Sequence, residues 1–287
     1  MKRERVRWIF ITFLFCATLV IWVFVFDREA KKGVLTVAFF DVGQGDAIFI
    51  ETPNGTQVLI DSGPNNKVLR EIGKQMPFYD RSIDLIITSH PDMDHIGGLP
   101  SVLSRFSVEN IMIPGVGADT SIYREMLSRA EEKNIEILYA RRGRIYLDQE
   151  NEIYLDVLFP DRATTGFEKN LASVVVKLVY GETTFLFTGD SPASIENYLI
   201  SVDKDILDVD VLKLGHHGSK TSTSEQFLGY TTPTYAIISA GKDNSYGHPH
   251  GSVLALLKQF EIKYLETAKE GTIIFESIGA EPFVRRL

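Results

Sequence analysis

All six histidines of this 287-residue chain fall into three pairs, His90/His95, His216/His217 and His248/His250, each with Asp, Gly or Pro neighbours typical of a loop leaving a strand. The first pair lies in Ser89-His90-Pro91-Asp92-Met93-Asp94-His95, directly after the apolar run 83–88, which reads as a buried strand. Imidazoles and carboxylates leaving one strand end together suit divalent cations. A dinuclear hydrolytic site needs ligands to two cations about 3.5–4 Å apart, open positions for water and substrate, and a carboxylate between the pair. In the spacing H-x-D-x-D-H, His90 and Asp92 share one side of an extended chain and can face one cation. A turn after Met93 then lets Asp94 and His95 face the other, and Gly97-Gly98 lets the backbone bend into a following helix.

Three further blocks supply matching chemistry. Phe187-Thr188-Gly189-Asp190 ends a strand in Gly-Asp, a suitable place for the bridging carboxylate. Lys213-Leu214-Gly215-His216-His217-Gly218-Ser219 and Asn244-Ser245-Tyr246-Gly247-His248-Pro249-His250 each follow an apolar run. Adjacent residues seldom point the same way, so one of His216 and His217 is expected to bind metal or phosphate and the other to be hydrogen-bonded structure.

To position these loops the chain must form strands at 34–41, 45–51, 57–61, 83–89 and 109–113, with helices at 66–76, near 97–105 and at 121–133. Strands and turns alternate through 135–159. The second half repeats the sense of the first, with strands at 172–180, 183–188, 209–215, 234–240, 262–266 and 271–276 and helices at 192–200 and 251–260. Mixed strands with interspersed helices predict an α/β (α+β) domain of sheets covered by helices, with polar residues at strand ends forming the site.

The residues resemble the metallo-β-lactamase fold family, and within it the soluble domains of ComEC-type DNA-uptake channel proteins. The family's H-x-H-x-D-H stands here as the H-x-D-x-D-H variant. Phe40-Asp41-Val42-Gly43-Gln44-Gly45-Asp46-Ala47, Leu59-Ile60-Asp61-Ser62-Gly63, Asn170-Leu171-Ala172-Ser173, Thr188-Gly189-Asp190 and the two later His blocks agree in order over residues 34 to 276. The resemblance implies a four-layer αββα sandwich. It also implies metal ligation by His90, Asp92, Asp94, His95, Asp190, His216 and His248, with Asp94, His217 and Lys213 at the chemistry. Many family members carry a histidine between the first motif and the Gly-Asp; this chain has none between His95 and His216, and the matching block offers Asn170. One cation site is therefore expected to be ligand-poor, and Asp92 hardens it, so the two divalent ions are Zn²⁺ or Mn²⁺, with Mg²⁺ also admissible.

Around those ligands, Asp61 is expected to orient the metal loop by hydrogen bonds. Asp41, Gln44 and Asp46 are placed at the cleft edge, against turn chemistry around Gly43 and Gly45 as the plainer reading. Asn170 and Ser173 could bind metal, water or a phosphate oxygen. Lys213 would contact an anionic substrate unless it is a solvated lysine, and His250 reads as a helix cap or a support for the site.

Residues 8–26 are 19 residues without a charge, close to the roughly 20 that cross a bilayer as a helix. Trp8 and Trp22 mark its ends, and Val23, Phe24, Val25 and Phe26 leave no small-x-small cleavage site. Lys2, Arg3, Arg5 and Arg7 favour a cytoplasmic 1–7, a single anchor 8–26, a linker 27–33 and an extracytoplasmic domain 34–287. The lone Cys16 lies within the anchor, which excludes internal disulfides and zinc-thiolate chemistry. Residues 1–33 hold seven basic and three acidic side chains, leaving 23 basic against 35 acidic in the rest, a net of −12. Such charge argues against nonspecific nucleic-acid binding through a broad basic surface.

The expected function is metal-dependent phosphodiester hydrolysis, with single-stranded DNA during uptake as the substrate the resemblance implies. One anchor cannot form a pore, so a separate channel protein is an expected partner. The alternatives are an envelope phosphodiesterase of phosphocholine or teichoic acid type, and a non-catalytic module stabilised by metal. A β-lactamase role does not follow from the fold, and no flavin domain follows for a flavodiiron role. Oligomeric state is not legible.

Overall fold

The computed structural model describes residues 2–30 and 33–285. Helix α1 (Lys2–Ala30) precedes strands β1 (Leu35–Phe39), β2 (Ile48–Glu51) and β3 (Gln57–Ile60), helix α2 (Lys67–Gln75), β4 (Ser82–Ile87), the one-turn α3 (Met93–Ile96), α4 (Leu99–Arg105), β5 (Ser107–Ile113), α5 (Ser121–Glu132) and β6 (Glu136–Tyr139). The second half runs β7 (Gly143–Asp148), β8 (Ile153–Phe159), β9 (Val175–Tyr180), β10 (Thr183–Phe187), α6 (Ala193–Asp203), β11 (Val211–Lys213), α7 (Glu225–Thr231) and β12 (Tyr235–Ile238). It closes with α8 (Gly251–Gln259), β13 (Lys263–Glu266), α9 (Thr267–Glu270), β14 (Ile273–Ser277) and β15 (Phe283–Arg285).

The strands form an eight-stranded sheet, β15-β14-β1-β2-β3-β4-β5-β6, and a seven-stranded sheet, β13-β12-β11-β10-β9-β8-β7. Their inner faces share one core in which Phe39 of β1 meets Phe187 of β10 at 6.0 Å between ring centroids. The outer face of the first sheet packs Leu59 and Ile86 under Ile72 and Leu103, and that of the second packs Leu186 and Leu212 under Leu199 and Leu257. Apolar residues on both faces explain why β3 and β4 read as continuous apolar runs and not as alternations. The result is the expected αββα sandwich.

Strand direction positions the site. β3, β4, β5 and β6 run parallel, as do β10, β11, β12 and β13. The loops after β3, β4, β10, β11 and β12 therefore leave the carboxyl ends of parallel strands, where ligand sites of α/β sheets gather.

Several local expectations change. The expected turn after Met93 is a helical turn: Asp92, in extended conformation, stands at the start of α3, and its carbonyl accepts from the N–H groups of His95 and Ile96. Residues 170–172 form a 3-10 turn, so β9 starts at Val175 and not at 172. The short α7, α9 and β15 were not expected; at three to seven residues they carry too few positions for periodicity to show. Helix α1 runs past both ends of the expected 8–26 segment; its span Arg3–Trp22 has mean hydropathy 1.7, with none of that window buried against the rest of the chain. Of the expected linker, residues 31 and 32 lie outside the described residues, as do 286 and 287 of the expected domain.

Candidate metal centre

Asp190, brought to the centre by the β10 end, is the hub. Its Oδ1 lies 3.3 Å from His95 Nε2, and its Oδ2 lies 3.6 Å from the Nε2 of both His216 and His217 and 3.8 Å from that of His90. Gly189 makes this approach feasible: at φ +52, a Cβ there would lie 2.7 Å from Ser89 Cβ. Around this hub His217 Nε2 reaches Asp94 Oδ2 at 3.3 Å, and His90 Nε2 reaches Asp92 Oδ2 at 3.6 Å. The cluster has two halves: an inner one in which His95 and His217 are buried and Asp94 is partly exposed, and an outer one in which His90 is buried and Asp92 and His216 are partly exposed.

The rings are aimed from behind. Ser89 Oγ has a single proton, donated to Asp61 Oδ2 at 2.6 Å, so toward His90 Nδ1, 3.0 Å away, it acts as acceptor. Asp61 Oδ2 also lies 2.7 Å from His95 Nδ1. Both contacts commit the Nδ1 atoms and turn the Nε2 atoms toward Asp190. His217 Nδ1 meets Asp46 Oδ1 at 3.3 Å, and His216 Nδ1 meets Thr221 Oγ1 at 3.1 Å.

Charge follows this geometry. Burial favours the neutral form of each group, yet carboxylate and imidazole sustain each other here. Burial alone would lower His95 and His217, but Asp190 and Asp61 hold His95 well above its ordinary range, and Asp190, Asp46 and Asp94 hold His217 up at about 9. Burial would raise Asp190, which His217, His95 and His90 instead keep well below the carboxylate range. His90, by contrast, is lowered by burial and by the charge of His95.

Several atoms of ligand type are buried without a hydrogen-bond partner: Nε2 of His90, His95 and His217, and Oδ1 of Asp190. Buried polar atoms are normally satisfied, so their convergence fits divalent cations better than a closed polar core. Asp46, His95, Asp190 and His217 each offer a ligand atom, all within 4.8 Å of one another. The donors are imidazole and carboxylate, a set that suits divalent metal ions.

The structure corrects several expectations. His216 and His217 both face Asp190, because both adopt left-handed backbone, φ 49° and 57°, which turns the two rings to the same side. Lys213 is fully buried, 2.7 Å from Asp46 Oδ2 and donating to the Leu214 carbonyl, so it cannot meet a substrate. Asp46 is not at the cleft edge but in the interior between Lys213 and His217. Asp41 serves the turn, accepting from the Gly43 N–H. His250, by contrast, is the helix cap expected of it: it is exposed and accepts from Ser252 N at the start of α8.

Gln44, Asn170, Tyr246 and His248 rim a cleft of about 150 Å³ over the hub. His248 pairs with no carboxylate among the described residues, and its ring lies 5.5 Å from that of His216. Ser173 is buried beside Gly189. Sequence reasoning did not single out Ser89, Tyr246, Thr221 or Lys169. Ser89 could have been found as the hydroxyl beside a ligand; Lys169, whose ammonium meets Asp92 Oδ1, carries no local signal.

A two-sheet sandwich with an Asp/His cluster at the carboxyl ends of its strands defines the class. The chain belongs to the Metallo-beta-lactamase superfamily, whose profile it matches over residues 40–242. It is 34% identical over 277 residues to ComE operon protein 3 of Bacillus subtilis, covering 90% of this chain and 35% of that protein. It is 29% identical over 240 residues to competence protein ComA of Neisseria gonorrhoeae, covering 83% of this chain and 32% of that protein. The chain thus spans about a third of the length of these relatives. The fold is similar to the crystal structure of the metallo-beta-lactamase fold protein YhfI of Bacillus subtilis, with TM-score 0.57 and 12% identity over 85% of this chain and 100% of that one.

Proposed function

We propose that the protein is a membrane-anchored, divalent-metal-dependent phosphodiesterase that degrades single-stranded DNA during uptake. The observation that carries the hydrolytic reading is the convergence of unpartnered His and Asp ligand atoms beneath a solvent-open cleft. Similarity to a competence protein supports DNA as the substrate.

His90, Asp92 and His216 would hold one cation and Asp94, His95 and His217 the other, with Asp190 between them. Such ions supply Lewis acidity toward phosphoryl oxygens and lower the pKa of water. The chain's own groups do the rest. Ser89 and Asp61 hold the rings of His90 and His95 in register, and Asp46 does the same for His217. Asn170 and His248 at the rim are placed to contact the phosphodiester, and the exposed Tyr246 to contact a base. The net charge of −12 outside residues 1–33 opposes capture of a polyanion by bulk charge, so affinity rests on the cleft.

In this reading residues 1–7 are cytoplasmic, 8–26 span the membrane, 27–33 link, and 34–287 form the extracytoplasmic domain, working beside a separate channel protein. The apolar, unburied Arg3–Trp22 span supports the anchor.

The test is turnover by the full chain in detergent with Mn²⁺, Mg²⁺ or Zn²⁺, on single-stranded DNA and on a small chromogenic phosphodiester, with Asp94→Ala/His95→Ala as control. Cleavage of DNA that the control abolishes is expected. Cleavage of the small diester alone would keep the hydrolase but redirect it to an envelope phosphodiester. No turnover with any metal would leave a metal-stabilised binding module.

A further inference from the structure

Lys169 immediately precedes the 3-10 turn Asn170–Ala172 and reaches across 77 positions of sequence to place Nζ 2.5 Å from Asp92 Oδ1. The other oxygen of that carboxylate faces His90 Nε2 at 3.6 Å. The aspartate that the outer half of the site would use for a metal therefore already holds a cation. The inner half is built differently: Asp94 pairs with His217 and with no lysine or arginine among the described residues, and the buried Lys213 ammonium sits on Asp46, behind the His217 ring.

In solvent the halves differ at one imidazole: His216 is 29% exposed, against 0–1% for His90, His95 and His217, while Asp94 and Asp92 are alike at 32% and 36%. On the Lys169 turn, Asn170 Oδ1 is buried without a hydrogen-bond partner, and Asn170 lines the cleft. The turn therefore sets a cation on Asp92 and brings an unsatisfied acceptor to the cleft.

We infer that Lys169 is the resident counterion of the outer half, competing with the second divalent ion for Asp92, and that once displaced it contacts the substrate phosphate at the cleft mouth. This rests on the metallohydrolase reading. Two consequences are separable. The two ions bind unequally, the inner tightly and the outer against the lysine. Lys169 is also a substrate-binding residue only when the outer half is loaded, so metal occupancy and anion binding are coupled through one ammonium.

The test is calorimetric titration of Mn²⁺ into the full chain in detergent, wild type against Lys169→Met and Lys169→Arg, with electron paramagnetic resonance reporting coupled ion pairs. Wild type should show two unequal affinities. Lys169→Met should tighten the weaker about tenfold, the scale of one unit charge a few ångström away at a partly exposed site, and leave the tighter unchanged, which also shows that the variant is folded. Lys169→Arg should keep the wild-type order. In turnover, Lys169→Met should raise KM for an oligonucleotide several-fold even as it loads the second ion more readily. Equal affinities in wild type, an unchanged weaker site in Lys169→Met, or a KM that falls with the tighter site would overturn the proposal. Loss of all phosphodiester turnover in wild type would instead sink the hydrolase reading, and the titration would still judge Lys169.

Discussion

His95 Nδ1 lies 2.7 Å from Asp61 Oδ2, both groups fully buried, with Asp61 in left-handed backbone at φ 58°. The same carboxylate accepts from Ser89 N and Ser89 Oγ, so one side chain from the end of β3 aims the rings of both His90 and His95 after β4. Asp61→Asn tolerates the backbone and keeps an acceptor, but removes the charge behind His95. Metal affinity should fall about 10- to 100-fold, measured by competition with a chelator. Unchanged affinity would mean that Asp61 serves only the fold.

Lys213 and Asp46 form a buried ion pair whose role is structural. Lys213→Met leaves a buried carboxylate without its ammonium, so stability should drop by about 3–5 kcal/mol in urea unfolding. Adding Asp46→Asn should restore much of that loss but not metal affinity, because Asp46 also stands behind His217 Nδ1. A rise in KM with unchanged unfolding would instead return Lys213 to the substrate.

With divalent ions removed by chelator, protons on the imidazoles should balance the carboxylates of the cluster. His217 is held up at about 9, above its ordinary 6.5, by Asp190, Asp46 and Asp94 against the opposing effect of burial. Its stabilising contribution is fully present below pH 6.5 and is lost as pH rises toward 9, by up to about 3 kcal/mol. Urea unfolding in chelator across that range should show the fall. Metal binding at pH 7 should release protons, seen as a buffer-dependent calorimetric enthalpy.

Gly45 lies against the metal loop: at φ +124, a Cβ there would fall 2.0 Å from the Asp94 carbonyl oxygen. Gly45→Ala should therefore displace residues 92–95 and reduce both metal affinity and turnover by more than an order of magnitude. Gly55→Ala is the matched control, with positive φ but nothing within 4 Å, and should cost about 1 kcal/mol of stability without touching metal binding. Equal effects on metal affinity would sink the steric argument.

The sandwich and the place of the site were legible because both depend on local chemistry. Apolar runs of four to seven residues become strands, and His, Asp and Gly at their ends become loops that can hold cations. What stayed illegible was pairing over long separations. Nothing near Lys213 tells that Asp46 waits beside it, and nothing near Lys169 tells that its ammonium meets Asp92. Nor does a His-His dipeptide reveal that both residues are left-handed, a conformation the loop holds through the Ser219 N–H bonded to the His216 carbonyl and the His216 N–H bonded to Gly189.

By itself the sequence determined the residue types, and with them the class of chemistry: imidazole and carboxylate donors at strand ends, no thiol outside the apolar segment, and an acidic body. Tertiary structure alone decided which carboxylate became the hub, which lysine was sealed inside and which was left partly exposed against Asp92. The physical reason is burial. A charged side chain far from its partner in sequence acquires a role only when packing removes water from between them, and that packing is a property of two sheets meeting, not of any segment within one.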